Sequence, residues 1–330
     1  MISFAPLDAG RDADALLQAS ARHFGSEGYQ HLPRYLEWLY RANPVGRGTS
    51  DCLVARRDGA IVGCMHRMRL PLAGNEAPDD FAVLHNHFVA EELRSGPGVL
   101  LLRRAVKNLG VGFAPGVQAP LDQVYRRLGF VEHPGFWLMR TLSPIAAGVQ
   151  LARARTIGPG PLRIDVARLQ RRFGDLSITA NPDDETIADL CRAMRRDTTG
   201  EAAVPWTIEL VRWRYFHPLG PRHLLVKAPG GTASAVFSLG KRRGLTVARL
   251  LESHSADPRF LGQVMRVMRA AGAAMGLVFS TDCAMVAQLT TLGWRLRDNG
   301  TFSFRTPGPS LSIGAAATDV GFEAFNTEWS

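Results

Sequence analysis

Apolar and polar positions change period several times along the chain, and each change marks an element. The segments DADALLQASARHFG and LPRYLEWLYRAN read as amphipathic helices, the first stopped by Gly25 and the second by the turn-forming NPVGRG. Strands follow at 51–57 and 60–72, the second alternating as a half-buried strand does, and FAVLHNHFV from Phe81 to Val89 is the next. Val99, Leu102, Val106 and Leu109 then recur at helical spacing, with Gly110 as the stop. A strand at 110–114, a helix at 121–128 and a strand at 130–141 complete the unit.

The same order is written a second time. Trp38-Leu39-Tyr40 and the NPVG ending at Gly46 are echoed by Trp213-Arg214-Tyr215 and the HPLG ending at Gly220, at offsets of 175 and 174 residues. Each copy continues with two strands around a glycine turn, CLVARRDGAIVG from Cys52 and HLLVKAPGGTASA from His223. Each closes on a strand, a short helix and an aromatic, YRRLGF ending at Phe130 and TTLGW ending at Trp294. Three correspondences in one order argue for duplication. The second copy predicts helices at 183–197 and 206–216 and strands at 222–228, 232–240 and 245–253. A helix from Pro258 to Met275, capped by Asp257, and a strand at 276–281 come next. The expected organisation is α/β, with similar domains at 1–142 and 163–306, a linker at 143–162 and a Gly/Ala/Ser-rich tail at 307–330.

Length agrees with two domains, because 330 residues exceed what one ordinary core supports. There is no apolar run of the roughly 18 residues a membrane helix needs, and the N-terminal MISFAPLDAGRDAD carries acids where a signal peptide carries bases. A cytoplasmic protein is expected. Cys52, Cys64, Cys191 and Cys283 stand far apart with no CxxC pair, so neither a disulfide framework nor a zinc knuckle is indicated. The formal charge of +9 is uneven: 16 bases face 14 acids up to Leu142, and 23 face 16 beyond it. Arginine supplies 36 of the 39 bases. Nucleic acid is not expected as a partner, while an acidic partner for the second half stays open.

The candidate chemistry starts at RSGPGVLLLRRAV, from Arg94. Glycines let a backbone approach a bulky group, and the first amides of a helix are free donors. Gly96, Gly98 and the amides of Val99 and Leu100 therefore suggest an anion seat, from which Pro97 withholds one amide.

The order of elements, WLYRANPVG and WRYFHPLG at the two domain starts, and YRRLGF at the end of the first domain together resemble GNAT acyltransferases. The whole chain resembles tandem GNAT proteins of the kind associated with bacterial polysaccharide biosynthesis. The resemblance implies two GNAT-like domains, each a mixed, mostly antiparallel sheet flanked by helices. It implies that the strand ending at Val89 pairs with the pantetheine arm of acetyl-CoA or another acyl-CoA, and that Arg94, Ser95, Gly96, Gly98, Val99 and Leu100 hold its pyrophosphate. The chain departs from the family's R-x-x-G-x-G, since R-S-G-P-G is one residue shorter.

Tyr125, four residues before Gly129, matches a tyrosine that protonates the leaving thiolate in many members of the family. His85 and His87 fall on one strand face by alternation, and on such a sheet either imidazole could take the proton of an incoming amine. Two histidines without a third ligand are not read as a metal site, and Glu91 and Glu92 are second-choice bases. The second copy has Leu289 in place of Tyr125 and no G-x-G in ESHSADPRFLGQV, so a substrate-binding or scaffolding role is expected there. The function implied is transfer of an acyl group, most simply acetyl from acetyl-CoA, to an amine of a sugar or small metabolite, without a metal. The alternatives are a donor on an acidic carrier protein or an aminoacyl-tRNA, and a non-catalytic GNAT-like binding module.

Overall fold

The computed structural model describes residues 1–24, 32–73, 81–94, 96–107, 109, 111–115, 119–156, 164–194, 204–255, 257–280 and 283–305. The stops assigned to Gly25 and Gly110 and the tail at 307–330 lie outside the described residues. The chain forms two compact units, one built on Met1–Pro134 and completed by residues 301–305, the other on Gly135–Arg196 and Trp206–Gly300.

The first unit runs β1 (Ile2–Pro6), α1 (Ala9–Phe24), α2 (Pro33–Leu36), β2 (Cys52–Arg57), β3 (Ala60–Leu70), β4 (Phe81–Val89), α3 (Gly96–Val106), β5 (Val111–Pro115) and α4 (Ala119–Arg127). β1 through β4 pair antiparallel in chain order, and β4 and β5 are parallel. β1 has no counterpart in the sequence reading, because five residues are too few to show a period. One face of the sheet packs on α3 and α4 through Ala55, Met65, Ala82, Leu84, Leu101, Leu102, Ala105 and Val106.

The second unit begins within β6 (Phe130–Thr141) and continues with α5 (Pro144–Thr156), α6 (Val166–Arg172), β7 (Ser177–Thr179), α7 (Asp184–Met194) and α8 (Ile208–Val211). Then come β8 (His223–Lys227), β9 (Ser234–Arg242), β10 (Leu245–His254), α9 (Pro258–Ala270), β11 (Met275–Ser280), α10 (Cys283–Thr291) and β12 (Arg295–Arg305). Its sheet is antiparallel except where β10 meets β11. The closing strands are exchanged. β6 pairs with β11 of the second unit, and the end of β12 pairs with β5 of the first.

Two local readings change. The segment read as a linker is helical over Pro144–Thr156, and Gln150 fastens it by accepting from Thr246 N at 2.7 Å and donating to Gly272 O at 3.0 Å. α9 ends at Ala270 rather than Met275, because Gly272 adopts φ +97° and Ala273 N donates back to Met268 O at 3.1 Å. The repeated motifs have one structural meaning in both copies. Trp38-Leu39-Tyr40 and Trp213-Arg214-Tyr215 lie on single π-helical turns, Glu37–Arg41 and Arg212–Phe216, and both tryptophans are fully buried. NPVG and HPLG are equivalent turns: Asn43 Oδ1 accepts from Val45 N at 3.1 Å, and His217 Nδ1 accepts from Leu219 N at 3.2 Å.

Candidate active site

β3 and β4 keep antiparallel register from Leu70↔Phe81 to His66↔His85, and then slip. The next pair is Cys64↔Phe88, so three steps along β4 answer two along β3. Asn86 absorbs the extra residue at φ +47°, a left-handed conformation that asparagine tolerates better than most side chains. Its Nδ2 donates to the Tyr35 hydroxyl at 2.7 Å, and that oxygen lies 3.1 Å from His85 Nδ1. The alternation that put His85 and His87 on one face does not survive this bulge. Residues directly opposed in a ladder share a face, so the residue that follows His85 on its face by pairing is Phe88.

Beyond the bulge the sheet opens. β4 and β5 pair at Phe81↔Val111, Ala82↔Gly112 and Val83↔Phe113, while the other edge of β5 stays paired to β12 as far as Pro115. From Leu84 to Val89, the edge of β4 on the β5 side has no strand partner among the described residues. Such an edge presents free backbone N–H and C=O groups to an extended ligand. It leads through a 3₁₀ turn, Glu91–Leu93, to the start of α3 at Gly96, whose first turn holds no acidic residue.

The two loop glycines do different work. A Cβ on Gly96 would meet nothing within 4 Å, so that position is open. A Cβ on Gly98 would come within 3.3 Å of Val89 Cγ2 and 3.6 Å of Leu93 O; its missing side chain seats α3 against the end of β4. Arg94 is exposed, 3.6 Å from Glu91, while Val99 is half-buried and Leu100 is exposed. Ser95 lies outside the described residues.

The histidines separate by environment. His85 is buried against His66, with ring centroids 5.4 Å apart, and burial followed by the charge of His66 pushes its pKa well down. His66 in turn bonds the buried Tyr40 hydroxyl. These contacts make His85 part of a packed polar layer under α2. His87 is partly exposed, but its Nε2 atom is buried without a hydrogen bond among the described residues. Burial, then His23, lowers its pKa to about 4. Tyr125 projects from α4 into the core on the α3 side, edge-on to Phe130 at 4.9 Å, and burial raises its pKa. Among the described residues, groups of three or more His, Cys, Asp or Glu placed to hold a metal are absent.

The second unit has the corresponding bulge, between Leu250↔Phe237 and Glu252↔Val236, and its β10–β11 pairing ends at Leu250↔Val278. Past the bulge the resemblance stops. Glu252 Oε1 accepts from the Tyr215 hydroxyl at 2.5 Å, and Oε2 lies 3.3 Å from His254 Nε2. Burial raises this carboxyl, but the hydrogen bonds from His254 and Tyr215 and the charges of His254 and Arg214 outweigh it, and the net pKa is lowered. The N-terminus of α9 is occupied by its own Asp257 carboxylate, which accepts from Arg259 N at 2.8 Å. Leu289, at the place of Tyr125, is a core residue.

Sequence reasoning missed Tyr35, Asn86 and Glu252. The doubled W-x-Y motif carried a signal for Tyr215 and Tyr40, whereas only strand pairing reveals their partners.

A scan against protein-family models matches none, and a search of curated proteins finds no match. Solved structures do resemble this one. N-myristoyltransferase of Saccharomyces cerevisiae with bound myristoyl-CoA superposes at TM-score 0.58 with 14% identity, covering 97% of this chain and 89% of that one. A tandem GNAT protein from the clavulanic acid biosynthesis pathway gives TM-score 0.58 at 16% identity over 94% and 100%. A GCN5-related N-acetyltransferase from Anabaena variabilis gives 0.57 at 10% identity over 93% and 73%. The fold of this chain is therefore that of GNAT proteins.

Proposed function

We propose that the chain is a GNAT-type acyltransferase whose donor site lies in the first unit. The observation that carries this reading is the edge of β4 behind the Asn86 bulge, which has no strand partner among the described residues and runs into the start of α3 at Gly96. The backbone from Leu84 to Val89 pairs with the pantetheine arm of an acyl-CoA, acetyl-CoA in the simplest case, and the first turn of α3 receives its pyrophosphate.

The acceptor is an amine of a sugar or small metabolite. Its nitrogen attacks the thioester carbonyl, the C–S bond breaks, and two protons move. The His87 imidazole is neutral at neutral pH because its pKa lies near 4, and in its Nδ1–H tautomer Nε2 takes the proton that the amine loses as its nitrogen becomes positive. The buried phenol of Tyr125 holds its proton at neutral pH and gives it to the thiolate. The second unit serves acceptor binding or support, because Asp257 places a carboxylate where a pyrophosphate would sit.

Titration of the protein with acetyl-CoA in a calorimeter and a melting assay tests the donor site. At about 100 times its dissociation constant the ligand should add about 2.7 kcal/mol of stability. Absence of heat and of any melting shift with acetyl-CoA and with longer acyl-CoAs would sink the proposal in favour of a non-catalytic module.

A further inference from the structure

In the second unit, a concavity of about 320 Å³ lies between the outer face of α9 and the turn after α6. Arg172, Arg266, Arg269 and Gln263 form its wall, with Asp175 the one carboxylate among the lining residues. Gln263, Arg266 and Arg269 are spaced i, i+3, i+6, which sets them in one stripe of α9, while Phe260, Leu261, Val264, Val267 and Met268 of the same helix enter the core.

The opposite wall is held in place before any ligand arrives. Gln170 Nε2 donates to Leu176 O at 2.7 Å and its Oε1 accepts from Ile178 N at 2.8 Å, clamping the turn from both ends. Phe173 and Leu176 anchor that turn in the core, and the Arg172 guanidinium lies 5.7 Å from the Phe173 ring centroid.

Among the described residues, none of the three guanidiniums has a hydrogen bond or ion pair, and neither has Asp175. Like charges gathered at one concavity repel, and neighbouring Arg266 and Arg269 disfavour each other on the helix. Helix-end electrostatics account for Arg172 and Arg269, which stand in the last turns of α6 and α9, but not for Arg266, nor for convergence on one hollow. Guanidinium forks match phosphate oxygens in pairs, so a dianion relieves the repulsion of several at once, which a single carboxylate does not.

We propose that this pocket is an anion site for the phosphate or pyrophosphate group of a small phosphorylated ligand, distinct from the α3 site of the first unit. Its volume is near the lower end for small-molecule pockets, enough for such a group and a modest organic part. The proposal stands on the second unit alone and holds whether or not the chain transfers an acyl group.

Calorimetry on the full chain with inorganic pyrophosphate, adenosine monophosphate and adenosine tests it. Saturable binding of pyrophosphate is expected. Binding of the nucleotide but not of adenosine marks a phosphoester ligand, and binding of pyrophosphate alone marks the free anion. The double variant Arg266→Gln, Arg269→Gln should lose about tenfold or more in affinity with an unchanged melting curve. Arg41→Gln, an exposed residue of the first unit, should bind pyrophosphate as the parent does. Equal affinity in the double variant overturns the proposal. So does binding of heparin or an oligonucleotide without binding of pyrophosphate, which would make this face a polyanion surface rather than a pocket.

Discussion

The strand-to-helix passages of the two units, β4 to α3 and β10 to α9, start alike and end differently. Both strands carry a bulge, and both part from their parallel neighbour just before it, at Val83 and at Leu250. Past that point the first unit offers an open strand edge and a helix start free of acids, with space around Gly96. The second fills the same stretch with its own groups: the Tyr215 hydroxyl donates to Glu252, whose other oxygen lies 3.3 Å from His254 Nε2, and Asp257 caps α9. The contrast shows that one backbone arrangement can carry different side-chain chemistry. A bulge and a splayed edge make a slot, and side chains decide whether it is left for a ligand or closed from within.

The largest effect should come from opening the closed side. Glu252→Ala removes the acceptor of the Tyr215 hydroxyl and the carboxylate beside His254 and Arg214, and each buried polar group left without its partner costs about 1–3 kcal/mol. Urea melts would read this directly. A loss below about 1 kcal/mol, or loss of turnover with unchanged stability, would mean that Glu252 serves chemistry rather than structure.

Gly96→Glu tests the open side. The side chain enters free space, so the unliganded protein should melt as before, while the roughly 2.7 kcal/mol of stabilisation by saturating acetyl-CoA should vanish. Gly98 is unsuited to this test because a side chain there meets Val89. Retained stabilisation in Gly96→Glu would move the pyrophosphate away from α3.

Tyr125→Phe separates catalysis from packing. The ring keeps its contact with Phe130, and kcat should fall by about 10²-fold with little change in melting temperature. A structural hydroxyl would instead show a stability loss of about 1 kcal/mol with turnover intact.

The last effect, with pH, is smallest near neutrality and builds as pH falls. Burial lowers His85 and His87 in the first unit and His223 in the second, the last two to about 4. Below about 6.5 the unfolded chain binds protons that these folded sites refuse, so stability should fall from about pH 6.5 towards 4 by up to about 1.4 kcal/mol per pH unit for each histidine. Denaturant melts across that range check it, and a flat profile would contradict the burial of these rings.

Much of this molecule is set by its sequence alone. Helix α1, the Asp257 cap of α9, the NPVG and HPLG turns and the order of strands depend on interactions within a few residues, which leave a readable period or turn signature. The doubled motifs were legible for the same reason, because each copy is a local turn or helix signature. The tertiary structure alone decided the features that join distant segments. The Asn86 bulge arises from the register of β3 on β4, which FAVLHNHFV by itself reads as unbroken alternation. That a side chain at Gly98, legible as a loop residue, would meet Val89 is likewise visible only in the structure. The exchange of β6 and β12, the Tyr215–Glu252 hydrogen bond and the meeting of Arg172 with Arg266 and Arg269 depend on pairings across tens of residues. Such pairings are chosen by the summed burial and hydrogen bonding of whole sheets, and no short window of sequence carries that sum.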